Sequence, residues 1–62
     1  MMTPSPGLMA CHNGTPFEFL YLVRGENGVE TWRVRPLFVD KPYAEVVFRA
    51  GDRLTPLHSK TR

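Results

Sequence analysis

FEFLYLVRGENGVETWRVRP, residues 17–36, is the stretch that decides the fold, and the pair Asn27-Gly28 lies at its centre. A two-residue type I′ loop needs positive φ at both central positions, which Asn followed by Gly tolerates best. With that pair as the loop, Glu26 faces Val29, Val23 faces Trp32, Tyr21 faces Val34 and Phe19 faces Pro36. One side of the hairpin then carries Phe17, Phe19, Tyr21, Val23, Trp32 and Val34. The other carries Glu18, Leu20, Leu22, Arg24, Thr31, Arg33 and Arg35. Aromatics separate from charges without adjustment, and a one-residue slip would undo that separation. Strands are therefore expected over 17–24 and 29–39.

Residues 43–50 are rich in the β-branched and aromatic side chains that suit a pleated surface, and they read as a third strand. A two-turn helix over 43–49 is disfavoured by Val46, Val47 and Phe48. A three-residue connection, Asp40-Lys41-Pro42, sets Val34 opposite Phe48, Trp32 opposite Ala50 and Arg33 opposite Arg49. It also places Ala44, Val46 and Phe48 on the Trp32 face, whereas a two-residue connection would put Arg49 there. Gly51-Asp52 reads as a type II′ turn with glycine at its first central position. Residues 53–57 form a short fourth strand, confined to an edge by Pro56. Pro36 removes a ladder donor, so a bend is expected near Arg35-Pro36.

The fold expected is all-β: a small antiparallel meander of three to four strands, curled toward an SH3-like sheet or barrel. In meander length and in its Gly51-Asp52 turn the chain resembles SH3-like modules only generically, and such a likeness implies no function. The core expected is Phe19, Tyr21, Val23, Trp32, Val34, Val46 and Phe48. Residues 1–16, with Pro4, Pro6, Gly7, Gly14 and Pro16, read as a flexible arm. Residues 17–57 form the single domain, and residues 58–62 a basic tail.

The chain has 62 residues and one cysteine, Cys11, so no intramolecular disulfide can form. A single core of this size rarely supplies more than roughly 3–5 kcal/mol without such staples. A homodimer or a stable complex with a partner is expected to supplement it, in a reducing, cytoplasmic setting. No run approaches the roughly 20 apolar residues of a membrane span. Residues 1–9 lack the positive and apolar segments of a secretory signal.

Chemistry is sparse. Cys11, His12 and His58 are three candidate ligands without paired spacing, and a structural zinc site needs four. Glu26, Asp40 and Asp52 fall at turns, and Glu18 and Glu45 lie beside arginines. No pair of them suggests acid–base work, and no glycine-rich run resembles a phosphate loop. No cofactor, metal or enzymatic activity is expected. The formal net charge of +2 is too small to argue for nucleic acid alone.

The charged face carries the functional signal. Arg24, Arg33, Arg35 and Arg49, with Leu20 and Leu22, are the candidate partner-binding residues. Arg33 opposite Arg49 is a like-charge pair, which is destabilising unless something negative answers it. The function expected is a small non-enzymatic binding protein, a regulator or inhibitor, that docks on and modulates a larger protein. A nucleic-acid-binding β-barrel contacting phosphates through the arginines is the alternative, followed by a subunit of a homo-oligomeric enzyme.

Overall fold

Five strands follow one another within residues 3–57, the part of the chain that the computed structural model describes. They are β1 (Met9–His12), β2 (Thr15–Glu26), β3 (Val29–Pro36), β4 (Ala44–Arg49) and β5 (Leu54–Pro56). All pairings are antiparallel, in the order β4-β3-β2-β1-β5. The all-β class and the meander are as the sequence implies, with five strands in place of three or four. The basic tail at 58–62 lies outside the described residues.

Asn27-Gly28 closes the β2–β3 hairpin with φ of 55° and 76°, and Glu26 pairs with Val29. Beyond the turn the register departs from the uninterrupted one. It slips once at Val23 and again at Leu20, so that Leu22 faces Trp32, Tyr21 faces Arg33 and Phe19 faces Val34. The pairs Val23–Trp32, Tyr21–Val34 and Phe19–Pro36 do not form. Each slip is a bulge, which inserts one residue, reverses the alternation and bends the strand. Two bulges cancel in parity. Phe17 and Phe19 stay on the inner face, while Tyr21, between the bulges, turns outward and is 53% exposed. Val23, the inserted residue of the second bulge, is exposed as well.

The β3–β4 pairing corrects a second expectation. Trp32 faces Val46, Arg33 faces Glu45 and Val29 faces Arg49. The displacement from the short-loop register is even, so the predicted inner face of Ala44, Val46 and Phe48 survives. The Arg33–Arg49 opposition does not. The connection is longer because β3 ends at Pro36, which has no donor for the ladder. The chain then leaves the sheet, with the Leu37 amide donating to Pro16 O at 3.2 Å and Phe38 at φ 65°. The bend expected at Arg35-Pro36 is replaced by the bulges of β2, and β3 pairs with both neighbours over Val29–Val34.

Residues 4–12 are not a flexible arm. Asn13-Gly14 (φ 53° and 87°) closes a second two-residue hairpin, pairing His12 with Thr15. Gly7 N donates to Phe19 O and Phe19 N to Leu8 O, at 2.8 and 2.7 Å, which extends the β2 ladder upstream of β1. β5 lies at an edge as expected, but against β1, with Ala10 facing Pro56. In the turn before it, Asp52 N donates to Arg49 O at 2.9 Å. Gly51 (φ 92°) is thus the second central residue, as in a type II turn, and not the first of a type II′.

β4 and β5 occupy opposite edges, yet only residues 50–53 join them. Neighbouring strands lie about 4.8 Å apart, so a flat sheet would hold those edges roughly 19 Å from each other. The sheet curls instead. His12 of β1 reaches Phe48 of β4, with ring centroids 5.7 Å apart. The curl stops short of closure, because β4 and β5 are not hydrogen-bonded to one another.

Inside the curl, Ala10, Phe19, Trp32 and Val34 are buried, with Leu8, Phe17, Ala44, Val46 and Leu54 packed around them. Phe19 stands edge-on to both Trp32 and Phe17. The indole N–H of Trp32 donates to Glu30 Oε1 at 2.8 Å, which satisfies its one polar atom. Of the expected core, Tyr21 and Val23 lie outside, and Val46 and Phe48 are half-buried. Ala10 and His12 join the buried set from a segment read as loop.

Candidate partner-binding face

The outer face of β2, β3 and β4 gathers most of the predicted site. Arg33 sits at its centre on β3, between Tyr21 of β2 and Glu45 of β4. Its Nη2 lies 3.9 Å from Glu45 Oε2. The Tyr21 hydroxyl foremost, opposed by burial and assisted to a lesser degree by Glu45 and Tyr43, holds the guanidinium still more firmly protonated than usual. Arg35 faces Glu18 across the β2–β3 ladder, and its Nε donates to Glu18 Oε1 at 2.9 Å with a second contact from Nη2. Arg24 faces Thr31 and Arg49 faces Val29, both exposed on the same side.

Leu20, Tyr21, Arg33 and Tyr43 line one open cleft of about 500 Å³. Leu20 is there because it is the bulged residue. Tyr43 precedes β4 and is as exposed as Tyr21. Leu22 does not belong to this face: it stands opposite Trp32 on the inner side, in the half of the hairpin nearer the turn. Of the six predicted residues, Leu20 and Arg33 share the cleft, Arg24, Arg35 and Arg49 surround it on the same face, and Leu22 faces away. Sequence reasoning missed the two tyrosines. A register without bulges turns Tyr21 inward, and nothing in the local composition marks a bulge.

Beyond the face, Phe38 is 84% exposed in a left-handed conformation that non-glycine residues rarely adopt. Val39 beside it is also exposed. Such a combination is costly in a free domain and suits a contact residue.

A second polar cluster joins the ends of the curl. Asp52 Oδ2 accepts from the Arg49 amide at 2.8 Å and contacts His12 Nε2 at 3.1 Å. The Arg49 amide first, and His12 second, hold the Asp52 carboxyl below its ordinary range. His12 is buried against Phe48, which makes this a structural latch between β1 and the β4–β5 turn. Among the described residues, no three of His, Cys, Asp and Glu are grouped to hold a metal ion. Nor, among the described residues, is any helix long and apolar enough to cross a membrane. No protein-family model, curated protein or solved structure matches the chain.

Proposed function

We propose that this chain is a small non-enzymatic binding protein that docks on a larger protein, and modulates it, through the outer face of β2–β3–β4. The observation that carries the reading is the cleft in which exposed Tyr21 and Tyr43 flank Arg33 beside Leu20. Tyrosine and arginine dominate the energetics of protein interfaces, because each offers a large contact area with a polar handle. Exposed Val29 and Val47 continue the face as apolar surface. The single free cysteine, Cys11, accords with a reducing cytoplasmic location.

Nucleic acid is the second reading, and one observation favours it: the tyrosines share a face with the arginines, as base-stacking platforms require. Against it, Arg33 and Arg35 already have carboxylate partners in Glu45 and Glu18. The like-charge pair that called for a polyanion is absent.

The test is capture from a host lysate by immobilised wild type and by the Tyr21→Ser, Tyr43→Ser double variant, with folding checked by circular dichroism. A nuclease-resistant protein held by wild type and lost by the folded variant supports the docking face. Equal capture by both overturns it. Nuclease-sensitive capture that falls steeply between about 50 and 200 mM salt selects the nucleic-acid reading.

A further inference from the structure

Arg33 and Arg35 stand two positions apart on the outer face of β3, and their carboxylate partners hold them differently. Arg35 is bonded to Glu18 through both Nε and Nη2. Arg33 has no such bond. Its nearest carboxylate oxygen among the described residues, Glu45 Oε2, lies 3.9 Å from Nη2, beyond hydrogen-bond reach. Both side chains are open to water, so the attraction between them is one of charge alone, and it is weak. A guanidinium presents five N–H donors in a planar fork. The fork of Arg33 is therefore left available in the middle of the cleft.

The walls of the cleft narrow what can fill it. Tyr21 faces Arg33 across the β2–β3 ladder, and Tyr43 and Leu20 complete the lining. A tyrosine hydroxyl beside a guanidinium still has its own hydrogen to donate to an acceptor. The two rings and Leu20 offer apolar surface to whatever stem carries that acceptor. An Asp or Glu side chain meets all three conditions, with two oxygens for the fork, further lone pairs for a hydroxyl, and methylenes for the walls. A run of phosphates fits less well. It needs a row of unanswered cations, and the next arginine along β3, Arg35, is already held by Glu18. We propose that the cleft reads a carboxylate, with Arg33 taking an Asp or Glu side chain of the partner protein in place of Glu45. Glu45 is then the competitor that the ligand displaces. This inference rests on the docking-face reading and adds the chemistry of the partner.

The experiment selects random heptapeptides, displayed on phage, against the immobilised full chain, and titrates the selected peptides in synthetic form by fluorescence polarisation. Wild type is expected to select peptides enriched in Asp and Glu. Exchanging the acidic residue for its amide should weaken binding at least about tenfold, as does losing a charge-assisted pair of hydrogen bonds. Arg33→Gln should cost as much, and Arg33→Lys, which keeps the charge without the fork, should fall between. Glu45→Gln carries the opposite sign: it removes the competitor and should tighten acidic peptides about threefold. A purely structural Arg33–Glu45 pair gives no such gain. Circular dichroism confirms that each variant is folded. Selected peptides that need Tyr21 and Tyr43 but show no acidic enrichment overturn the carboxylate site and leave the docking face standing. A selection that yields no peptides, or acidic peptides that bind Arg33→Gln as well as wild type, also overturns it. Unchanged affinity in Glu45→Gln overturns the displacement, and loss of the acidic peptides to competing oligothymidylate assigns the fork to phosphate instead.

Discussion

Asp52 accepts at one oxygen from the Arg49 amide and meets His12 with the same oxygen, tying the two ends of the curl. Its carboxyl is held below the ordinary value of 3.8, so the stability this gives is complete above that pH and is lost as the pH falls through the folded-state value. Asp52→Asn should therefore flatten the loss of thermal stability from about pH 5 to about pH 2. Melting curves of both forms across that range check it. Phe38 is a different case, since its φ of 65° costs an L-residue about 1–2 kcal/mol. Phe38→Gly should stabilise the domain by about 1 kcal/mol in urea unfolding while weakening capture by any partner that uses the exposed ring. Trp32→Ala removes the largest buried ring and should cost about 3–5 kcal/mol, enough to leave a domain of this size unfolded by circular dichroism. Residue-level chemistry was only partly legible in the sequence. Trp32 and Phe19 announced themselves as core by size and spacing. His12 did not, because a buried histidine beside a turn aspartate is defined by a contact 40 positions away.

At the scale of elements, two-residue turns were the most legible signal and also the one most easily overlooked. Asn27-Gly28 and Asn13-Gly14 share the same chemistry, with φ positive at both residues of each. The second closes β1–β2 within a segment whose prolines and glycines read as an arm. Strand parity was legible in β4, where an even displacement leaves the facing intact. It was not legible in β2, where bulges at Leu20 and Val23 each shift the register by one residue. Those bulges yield a prediction that an unbulged hairpin does not share. Deleting Val23 removes only the extra residue, so Leu22 stays opposite Trp32 and Arg24 opposite Thr31. The deletion variant should fold, within about 2 kcal/mol of wild type by urea unfolding. An unfolded chain would mean that Val23 occupies a regular ladder position.

For the whole molecule, curling does what a second layer does in larger domains: it lets one small sheet cover its own apolar face. The bulges of β2 supply bending, the four-residue β4–β5 connection holds the edges near each other, and the His12–Asp52 contact fixes the gap. The same bulges place Tyr21 outside, beside Arg33 and Tyr43, so the candidate docking face is a consequence of the way the sheet bends. The measurement that tests this most directly is the set of nuclear Overhauser contacts from the Tyr21 ring. The account predicts contacts to the side chains of Arg33 and Tyr43, with none to the Trp32 indole. Tyr21 contacts to Trp32 and Val34 would contradict it, since that pattern belongs to an unbulged hairpin whose outer face holds no Tyr21.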